Sequence, residues 1–324
     1  MKSGPHRPIG GFFELEVPHT GSGSGPHPNA TALSTGRSCT LVILDQLKPR
    51  LVHVPFHSCA ASLAPFEKAG VPFRFYGLNE DLSPADLPEL GPDEYLLWIN
   101  YYGLCDRITD DLKVRFGERL IVDDTHAFFN KGHDGIWSFT SARKYFGIPD
   151  GAYLYGPQKV TAHHSRFAGV SLEHSVLRAV GRQAEAFRAY QAYEAAMPCD
   201  VFSMSVVSEG LLRGIDLDRV AEIRRRNYIF FHDQLGSMNN LPLHSLRENV
   251  PFCYPYLPDR SVDRKELADK GFFVPTLWPD AAQRGIEGFE WDKRLSRDIL
   301  PLPIDHRYAT DDLQRLADHL RNIR

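Results

Sequence analysis

The stretch that decides the fold is LIVDDTHAFFNKGHDGIWSFTSARKYFGIPDGAYLY, which runs from Leu120 to Tyr155. It begins with an apolar run that ends at two adjacent carboxylates, Asp123 and Asp124. A hydroxyl-rich segment follows and leads to Lys144. In open α/β folds, buried strands deliver side chains to the carboxyl edge of the sheet, where ligands bind. The pattern therefore predicts a site in which carboxylates meet a nucleophilic lysine amine.

Strand and helix patterns alternate around this stretch. Short apolar runs predict strands at 51–56, 71–78, 94–100 and 120–124. Helices are predicted between them, at 57–70, 82–90 and 106–118, and a long helix at 171–197 follows a returning strand at 151–156. Such alternation is typical of βαβ units, and it predicts an α/β fold with a mostly parallel central sheet.

The chain divides into three predicted parts. Residues 1–33 are rich in Gly, Pro, His and Ser, which predicts an N-terminal arm or loop. Residues 34–215 contain the alternating strands and helices, and we expect them to form a large domain. Residues 216–324 are expected to form a smaller C-terminal α+β domain, with a helix from Leu217 and short strands at 252–257, 272–278 and 299–305 before a last helix at 309–323.

Composition and charge exclude several classes of protein. The 324 residues carry a net charge of −4, so no basic field favours nucleic acid as a partner. No apolar window reaches the length of a membrane span, and the first residues lack the apolar core of a signal peptide. The five cysteines are scattered and form no CxxC, which is typical of reduced thiols in a cytoplasmic protein.

Two kinds of site are disfavoured by the pattern. A metal centre can use Asp123, Asp124 and His126, which all carry donor atoms. The two carboxylates are adjacent, however, and adjacent side chains on a strand point to opposite faces. A nucleotide site is disfavoured because no GxxxxGKS/T occurs and no GxGxxG lies on a strand-to-helix turn.

Pyridoxal phosphate (PLP) is the cofactor for which every required group has a candidate. PLP needs a lysine amine for its aldehyde, a carboxylate for its pyridine nitrogen, a donor near its phenolic oxygen and an anion site for its phosphate. Lys144 can supply the amine and Asp123 the carboxylate, and either His126 or Asn100 can reach the phenolic oxygen. The phosphate is expected at a helix N-terminus and a nearby hydroxyl, formed by Thr35, Gly36, Arg37, Ser38 and Ser141.

Six segments, taken in order, carry a family pattern: STGRSCTL (34–41), PFHSCAAS (55–62), INYYGLCD (99–106), VDDTHAF (122–128), SFTSARKYFGIPDGAYL (138–154) and ILPLPIDHRYATDDLQRLADHL (299–320). They resemble segments of the DegT/DnrJ/EryC1/StrS aminotransferases, a fold-type-I PLP family, over most of the chain. The family segments are SGTxAL, PxxTxxAT, VHxxGxxxD, EDAAQAxG, SFxxxKxxxxGxGG and a closing strand and helix.

The resemblance implies a fold-type-I PLP transferase with a mostly parallel sheet and a small C-terminal α+β domain. It implies that Lys144 forms an imine with the cofactor and that Asp123 pairs with the pyridine nitrogen. Asp124 is the rival for that role if the strand ends one residue later. Thr125 then lies against the ring, and His126 stands where the family has Gln.

Several positions depart from the family pattern or fit it loosely. Arg37 stands where Thr is usual, and Asn100 stands where His is usual. Ser58 takes a Thr position, and we count its neighbour Cys59 among the cofactor-binding residues, although both residues also suit a plain helix start. One extra residue lies between Ser138-Phe139 and the lysine, which leaves three candidate hydroxyls for the phosphate: Ser138, Thr140 and Ser141. We favour Ser141, which is nearest to Lys144 in the sequence.

The resemblance implies a transaminase that moves an amino group from an amino acid donor to a keto acceptor, in the family often a nucleotide-linked keto-sugar. It also implies a homodimer with the site near the subunit boundary. Two alternatives stay open at this point. One is a non-catalytic relative with a binding or regulatory role, and the other is a metal-dependent hydrolase that uses Asp123, Asp124 and His126.

Overall fold

The computed structural model of the protein describes residues 9–12, 25–157, 160, 164–243, 246 and 248–322. Its strands, in chain order, are β1 (Ile9–Gly10), β2 (Thr31–Leu33), β3 (Leu51–Pro55), β4 (Phe73–Tyr76), β5 (Glu94–Ile99), β6 (Leu120–Asp123), β7 (Trp137–Ser141), β8 (Ala152–Tyr155), β9 (Tyr254–Tyr256), β10 (Phe272–Phe273) and β11 (Leu300–Leu302). Its α-helices are α1 (Gly36–Leu47), α2 (Ala60–Ala69), α3 (Asp106–Phe116), α4 (Glu173–Ala179), α5 (Gln183–Ala196), α6 (Val206–Arg213), α7 (Leu217–Leu235), α8 (Arg264–Asp269), α9 (Pro279–Gln283), α10 (Glu290–Asp298) and α11 (Thr310–Asn322).

The main sheet has the strand order β2-β8-β7-β6-β5-β3-β4. Strands β4, β3, β5, β6 and β7 run parallel to one another, and β8 and β2 complete one side in antiparallel pairing. Every residue of β3, β6 and β7 is buried, as expected for parallel strands covered on both faces. The predicted α/β fold with a mostly parallel sheet is confirmed.

Helix α1 begins after a side-chain cap. The Thr35 side chain accepts a hydrogen bond from the Ser38 backbone N–H at 3.1 Å, which caps the first turn. Helix α2 ends at Gly70, whose φ of +66° is the left-handed conformation that glycine adopts without strain. Both helices lie directly before or after β3, so they are the crossover helices of the parallel sheet.

Three predicted elements differ in the structure. Residues 82–90 form no helix, because Pro84 and Pro88 remove backbone donors and restrict the preceding residues. The long helix predicted at 171–197 is two helices, α4 and α5, which are separated at Gly181 with φ +81°. The strand predicted at 272–278 is confined to β10, and residues 274–278 lead from it to the start of α9 at Pro279.

The C-terminal elements pack both on one another and on the main sheet. Strands β9 and β11 pair antiparallel, and α7 and α11 bury Phe231 and Leu316 in the same cluster. Strand β10 pairs parallel with β1, so this part of the predicted arm joins the C-terminal elements. A second cluster unites Trp98 and Val122 of the sheet with Trp278 and Leu295. The boundary at 215/216 stays a prediction.

Two further expectations concern cysteines and membranes. All five cysteines are free thiols. Across the residues that the structure describes, none of the helices is both long and apolar enough to span a membrane.

Candidate active site

Asp123 is the last residue of β6 and lies at the carboxyl edge of the parallel strands. Its side chain is only 6% exposed and accepts a hydrogen bond from the Thr125 backbone N–H at 2.8 Å. Burial raises the pKa of Asp123, and the positive charge of a protonated Lys144 would oppose that rise. Asp123 is therefore a buried carboxylate within electrostatic reach of the candidate amine.

Asp124 points away from this group, as the alternation of side chains along a strand requires. His133 Nε2 donates to its carboxylate at 2.8 Å, and Asn100 Nδ2 donates to it at 2.9 Å. The Asn100 amide also donates to Asp106 at 2.6 Å. Asn100 is thus held among carboxylates on the Asp124 side, and the structure gives it no contact with Lys144. His133 is thus the partner of a buried acid.

Lys144 ends a short 3-10 turn, Ala142–Lys144, that follows β7. Its Nζ lies 2.9 Å from His126 Nε2. His126 is fully buried, and its other ring nitrogen, Nδ1, accepts the Tyr102 backbone N–H at 3.3 Å. The pKa of His126 lies well below its usual value, first because of burial and then because of nearby Lys144 and His57. The imidazole is therefore neutral.

Two aromatic side chains from the C-terminal elements surround His126. The Phe252 ring lies 4.4 Å from the imidazole with an interplanar angle of 16°, and the Trp278 ring lies 5.3 Å away at 12°. Lys144 Nζ is 5.9 Å from the centre of the Phe252 ring. The sequence did not indicate that these two rings contact His126, because neither residue belongs to a motif and both are more than 120 residues from His126.

The N-terminus of α1 lies against the turn that follows β6. A Cβ added to Gly36 would be 3.5 Å from Thr125 Cγ2 and 3.4 Å from the Phe139 ring. Along β7, Ser141 shares the face of Phe139, whereas Thr140 faces the other way and donates to the Asp124 carbonyl at 2.8 Å. Of the three candidate hydroxyls, Ser141 is therefore the one on the α1 side.

The remaining predicted residues lie around α1 and α2. The Ser38 hydroxyl donates to the Asp200 carbonyl at 2.6 Å, so it stabilises the chain at that point. Burial raises the pKa of the Cys199 thiol, and the nearby Arg37 guanidinium opposes this. Cys59 is the N-cap residue of α2 and packs against the core of the sheet. The structure thus brings Gly36 and Thr125 together, and it directs Arg37 and Ser38 toward residues 199–200.

The metal alternative is not supported by this geometry. Asp123 bonds to Thr125, Asp124 bonds to His133, and His126 bonds to Lys144, so the three side chains have different partners. Within the described ranges, no group of three or more His, Cys, Asp or Glu side chains is arranged to hold a metal ion. What the site does offer is an amine, a buried carboxylate and the N-terminus of helix α1.

Solved structures show which proteins share this architecture. CalS13 of Micromonospora echinospora, a sugar aminotransferase, superimposes with a TM-score of 0.63 at 13% identity, over 92% of this chain and 88% of CalS13. A DegT DnrJ EryC1 StrS aminotransferase of Brucella abortus gives 0.62 at 14% identity, over 90% and 85%. Spr1654 of Streptococcus pneumoniae, in a PMP form, gives 0.66 at 12% identity, over 96% of both chains.

Sequence comparison adds nothing to these structural similarities. No protein-family model matches the chain, and no curated protein matches it in sequence. The architecture predicted from the six sequence segments is therefore confirmed at the level of the fold. The chain has the α/β fold of the DegT/DnrJ/EryC1/StrS-type sugar aminotransferases, at a sequence identity of 12–14% to the three structures described.

Proposed function

We propose that this protein is a PLP-dependent aminotransferase in which Lys144 is the cofactor-binding lysine. The observation that carries the proposal is the position of the Lys144 amine. It lies 2.9 Å from a neutral, buried imidazole and within electrostatic reach of the buried Asp123 carboxylate. These groups lie at the carboxyl ends of β6 and β7, the edge at which open α/β sheets bind ligands.

The chemistry of the residues fits PLP. Lys144 would bind its aldehyde, and Asp123 would pair with its ring nitrogen and keep that nitrogen protonated. Thr125 would lie against the ring, while Ser141 and the α1 N-terminus at Gly36 would bind its phosphate. Arg37 and Ser38 are proposed to support this turn from the side of residues 199–200. Spr1654 has been solved both in a PLP form and in a PMP form, which supports this choice of ligand.

When bound, PLP would act as an electron sink for the carbon that carries the amino group. Lys144 Nζ would remove the proton from that carbon and return it, as general base and then general acid. The negative charge of the Asp123 carboxylate would stabilise the protonated ring nitrogen. Phe252 and Trp278 would exclude water from the side of His126, which they contact with nearly parallel rings.

For substrates, we propose an amino acid donor and a keto acceptor, with a nucleotide-linked keto-sugar as the first class to test. CalS13, which shares the fold, is a sugar aminotransferase, and this supports the choice. A homodimer is proposed as the working assembly, and sedimentation of the purified protein would test it. A chain that binds PLP but reacts with no amino donor would favour the non-catalytic alternative.

The test of the cofactor is direct. Purified protein mixed with PLP should gain visible absorption, and borohydride followed by peptide mapping should find the cofactor on Lys144. Lys144→Ala should lose both signals, whereas the matched control Lys265→Ala, at an exposed position of α8, should keep them. A wild-type protein that gains no absorption with PLP would refute the proposal. Half-reactions with amino acids and a panel of keto-sugar nucleotides would then define the substrates.

A further inference from the structure

Helix α7 carries three consecutive arginines, Arg224, Arg225 and Arg226. A run of like charges usually forms a solvated face. Arg224, however, is only 1% exposed, and Arg225 is half-buried. Burial of a guanidinium opposes folding unless its N–H groups are hydrogen-bonded and its charge is paired. The contacts of these two arginines therefore indicate what their burial serves.

The segment 248–252, between α7 and β9, belongs to no helix or strand. Buried backbone of this kind needs hydrogen-bond partners from elsewhere in the chain. Each of its carbonyls lies within hydrogen-bond distance of a side-chain donor: those of residues 248 and 249 from Arg225 (2.6 and 3.1 Å), that of residue 250 from Tyr145 (3.2 Å), and those of residues 251 and 252 from Arg224 (3.2 and 2.9 Å). These side chains thus determine the path of the segment.

Arg224 also connects the segment to the turn that carries Lys144. Its guanidinium lies 4.3 Å from the centre of the Tyr145 ring, a cation–π contact with the residue that directly follows the lysine. The Tyr145 hydroxyl in turn donates to the His126 carbonyl at 2.6 Å. One arginine therefore binds both the segment 248–252 and the residue that joins the lysine turn to His126.

The charge of Arg224 lies near a buried acid. Asp305, which follows β11, is 5% exposed. Burial would raise the pKa of Asp305, but the guanidinium groups of Arg307 and Arg224 lower it. Arg307 Nε also donates to Asp305 directly at 2.7 Å, so the acid keeps a partner when Arg224 is replaced. Replacement of Arg224 therefore acts first on the segment that it binds.

Both backbone polar groups of Phe252 are held by this arrangement. Its N–H donates at 2.8 Å to the carbonyl of Tyr102, a buried residue at φ +58°, and its carbonyl accepts from Arg224 at 2.9 Å. The Phe252 ring then lies 4.4 Å from the His126 imidazole at an interplanar angle of 16°. The same ring lies 5.9 Å from Lys144 Nζ. The position of this ring depends on side chains from α7, because the segment has no regular structure of its own.

We propose that Arg224 is a positioning residue of the candidate active site, which holds the segment 248–252 so that the Phe252 ring lies on the His126 imidazole beside Lys144. Arg224 acts through Phe252 and Tyr145. A lysine cannot fully replace it, because an ammonium lacks the planar group that lies on the Tyr145 ring. The inference rests on the proposed function only for the chemical use of Lys144.

Two substitutions test this role, and a third is a matched control. Arg224→Met keeps an unbranched side chain but removes every donor, whereas Arg224→Lys keeps the charge and removes the planar group. Arg264 likewise donates to two backbone carbonyls, those of Arg297 at 2.7 Å and Ile299 at 2.6 Å. Arg264→Met therefore removes the same kind of contact among the C-terminal elements, and it shows what a general loss of stability does.

The measurement is an NMR spectrum of the full chain with ¹³C-labelled histidine rings, recorded before any PLP is added. An aromatic ring that lies face to face on an imidazole moves the signals of the imidazole C–H groups upfield. The signal that is lost in His126→Gln assigns the residue, and Phe252→Leu gives the position of the signal without the ring. Wild type should lie upfield of Phe252→Leu.

The variants should separate on this scale. Arg224→Met should move the His126 signal most of the way from the wild-type position to that of Phe252→Leu. Arg224→Lys should move it in the same direction by less, and Arg264→Met should leave it at the wild-type position. A signal that stays in place in folded Arg224→Met, or that moves as far in Arg264→Met, would overturn the inference.

Thermal melting checks that each variant folds. If Arg224→Met does not fold, Arg224→Lys decides the question, and an unchanged His126 signal in that variant overturns the inference. Equal signals in wild type and Phe252→Leu would overturn it as well, since the Phe252 ring would then not lie on the imidazole.

The proposed function and this inference fail in different ways. If the protein binds no PLP but the His126 signal moves as expected, the proposed function fails and the inference stands. If borohydride fixes PLP to Lys144 while the His126 signal is the same in Arg224→Met and wild type, the proposed function stands and the inference fails. If both hold, Arg224→Met should also bind PLP more weakly than Arg264→Met does.

Discussion

Replacement of Gly103 by alanine tests how tightly the turn after β5 approaches the turn after β6. Gly103 has φ +69°, and an added Cβ would lie 2.3 Å from the His126 carbonyl oxygen and 3.5 Å from Pro251 Cα. Real Cβ atoms essentially never lie closer than 3.0 Å to another heavy atom. One of the two turns must therefore move by about 0.7 Å, the difference between 3.0 Å and the 2.3 Å to the His126 oxygen. Both neighbours are backbone, which cannot rotate away.

Gly70 offers a matched control. Its φ is +66°, but apart from its chain neighbours no heavy atom of the described residues lies within 4 Å of the position of its missing Cβ. Gly70→Ala should therefore cost only the left-handed conformation, roughly 1–2 kcal/mol of the free energy of unfolding. Gly103→Ala should cost the same amount plus roughly 1–3 kcal/mol for overpacking. The difference between the two variants isolates the close contact.

Urea unfolding of the two variants and the wild type gives the comparison, provided that the slope of the free energy against denaturant stays constant. We expect the midpoint of Gly103→Ala to fall clearly below that of Gly70→Ala. Equal midpoints for the two variants would refute the reasoning, since they would show that the turn can open at no cost.

Three other predictions concern single contacts. Asp124→Ala removes a hydrogen-bond acceptor from the side chains of His133 and Asn100 and should lower the free energy of unfolding by roughly 1–3 kcal/mol in urea, with little change in PLP binding. Burial raises the pKa of Asp292 to about 6, so its ionisation opposes folding. Its contribution to stability should fall as pH rises from about 4 to 6, by roughly 2 kcal/mol, and Asp292→Asn should flatten that part of the pH profile. Thr35→Ala should cost about 1 kcal/mol through loss of the Ser38 cap, which Thr35→Ser should keep.

Helix and strand positions were predictable where neighbours in sequence decide them. The strands β3, β5 and β6 were predicted correctly from their apolar runs, because the burial of a strand depends on residues a few positions apart. The prediction failed at 82–90, where helical spacing concealed two prolines, and at Gly181, which divides a continuous amphipathic pattern. In both cases the backbone requirements of proline or glycine outweighed the helical spacing of the apolar side chains.

The polar side chains of the candidate site were predictable in part. Alternation along β6 indicated that only one of Asp123 and Asp124 could face Lys144, but not which one. The contact between Lys144 and His126 could not be read from a spacing of eighteen residues, because the intervening loop follows no periodic structure. Asn100 is predicted to lie near the cofactor, and the structure shows its amide bonded to Asp106 and Asp124.

The sequence by itself determined that a parallel sheet ends in acids at Asp123 and that a lysine follows among hydroxyls at 144. Local periodicity is sufficient for this, because each strand and helix is encoded by residues within one element. Only the tertiary structure decided that Phe252 and Trp278 lie beside His126 and that the Tyr102 N–H meets its ring. These contacts join distant segments, and packing and a strained φ place them where no local pattern could.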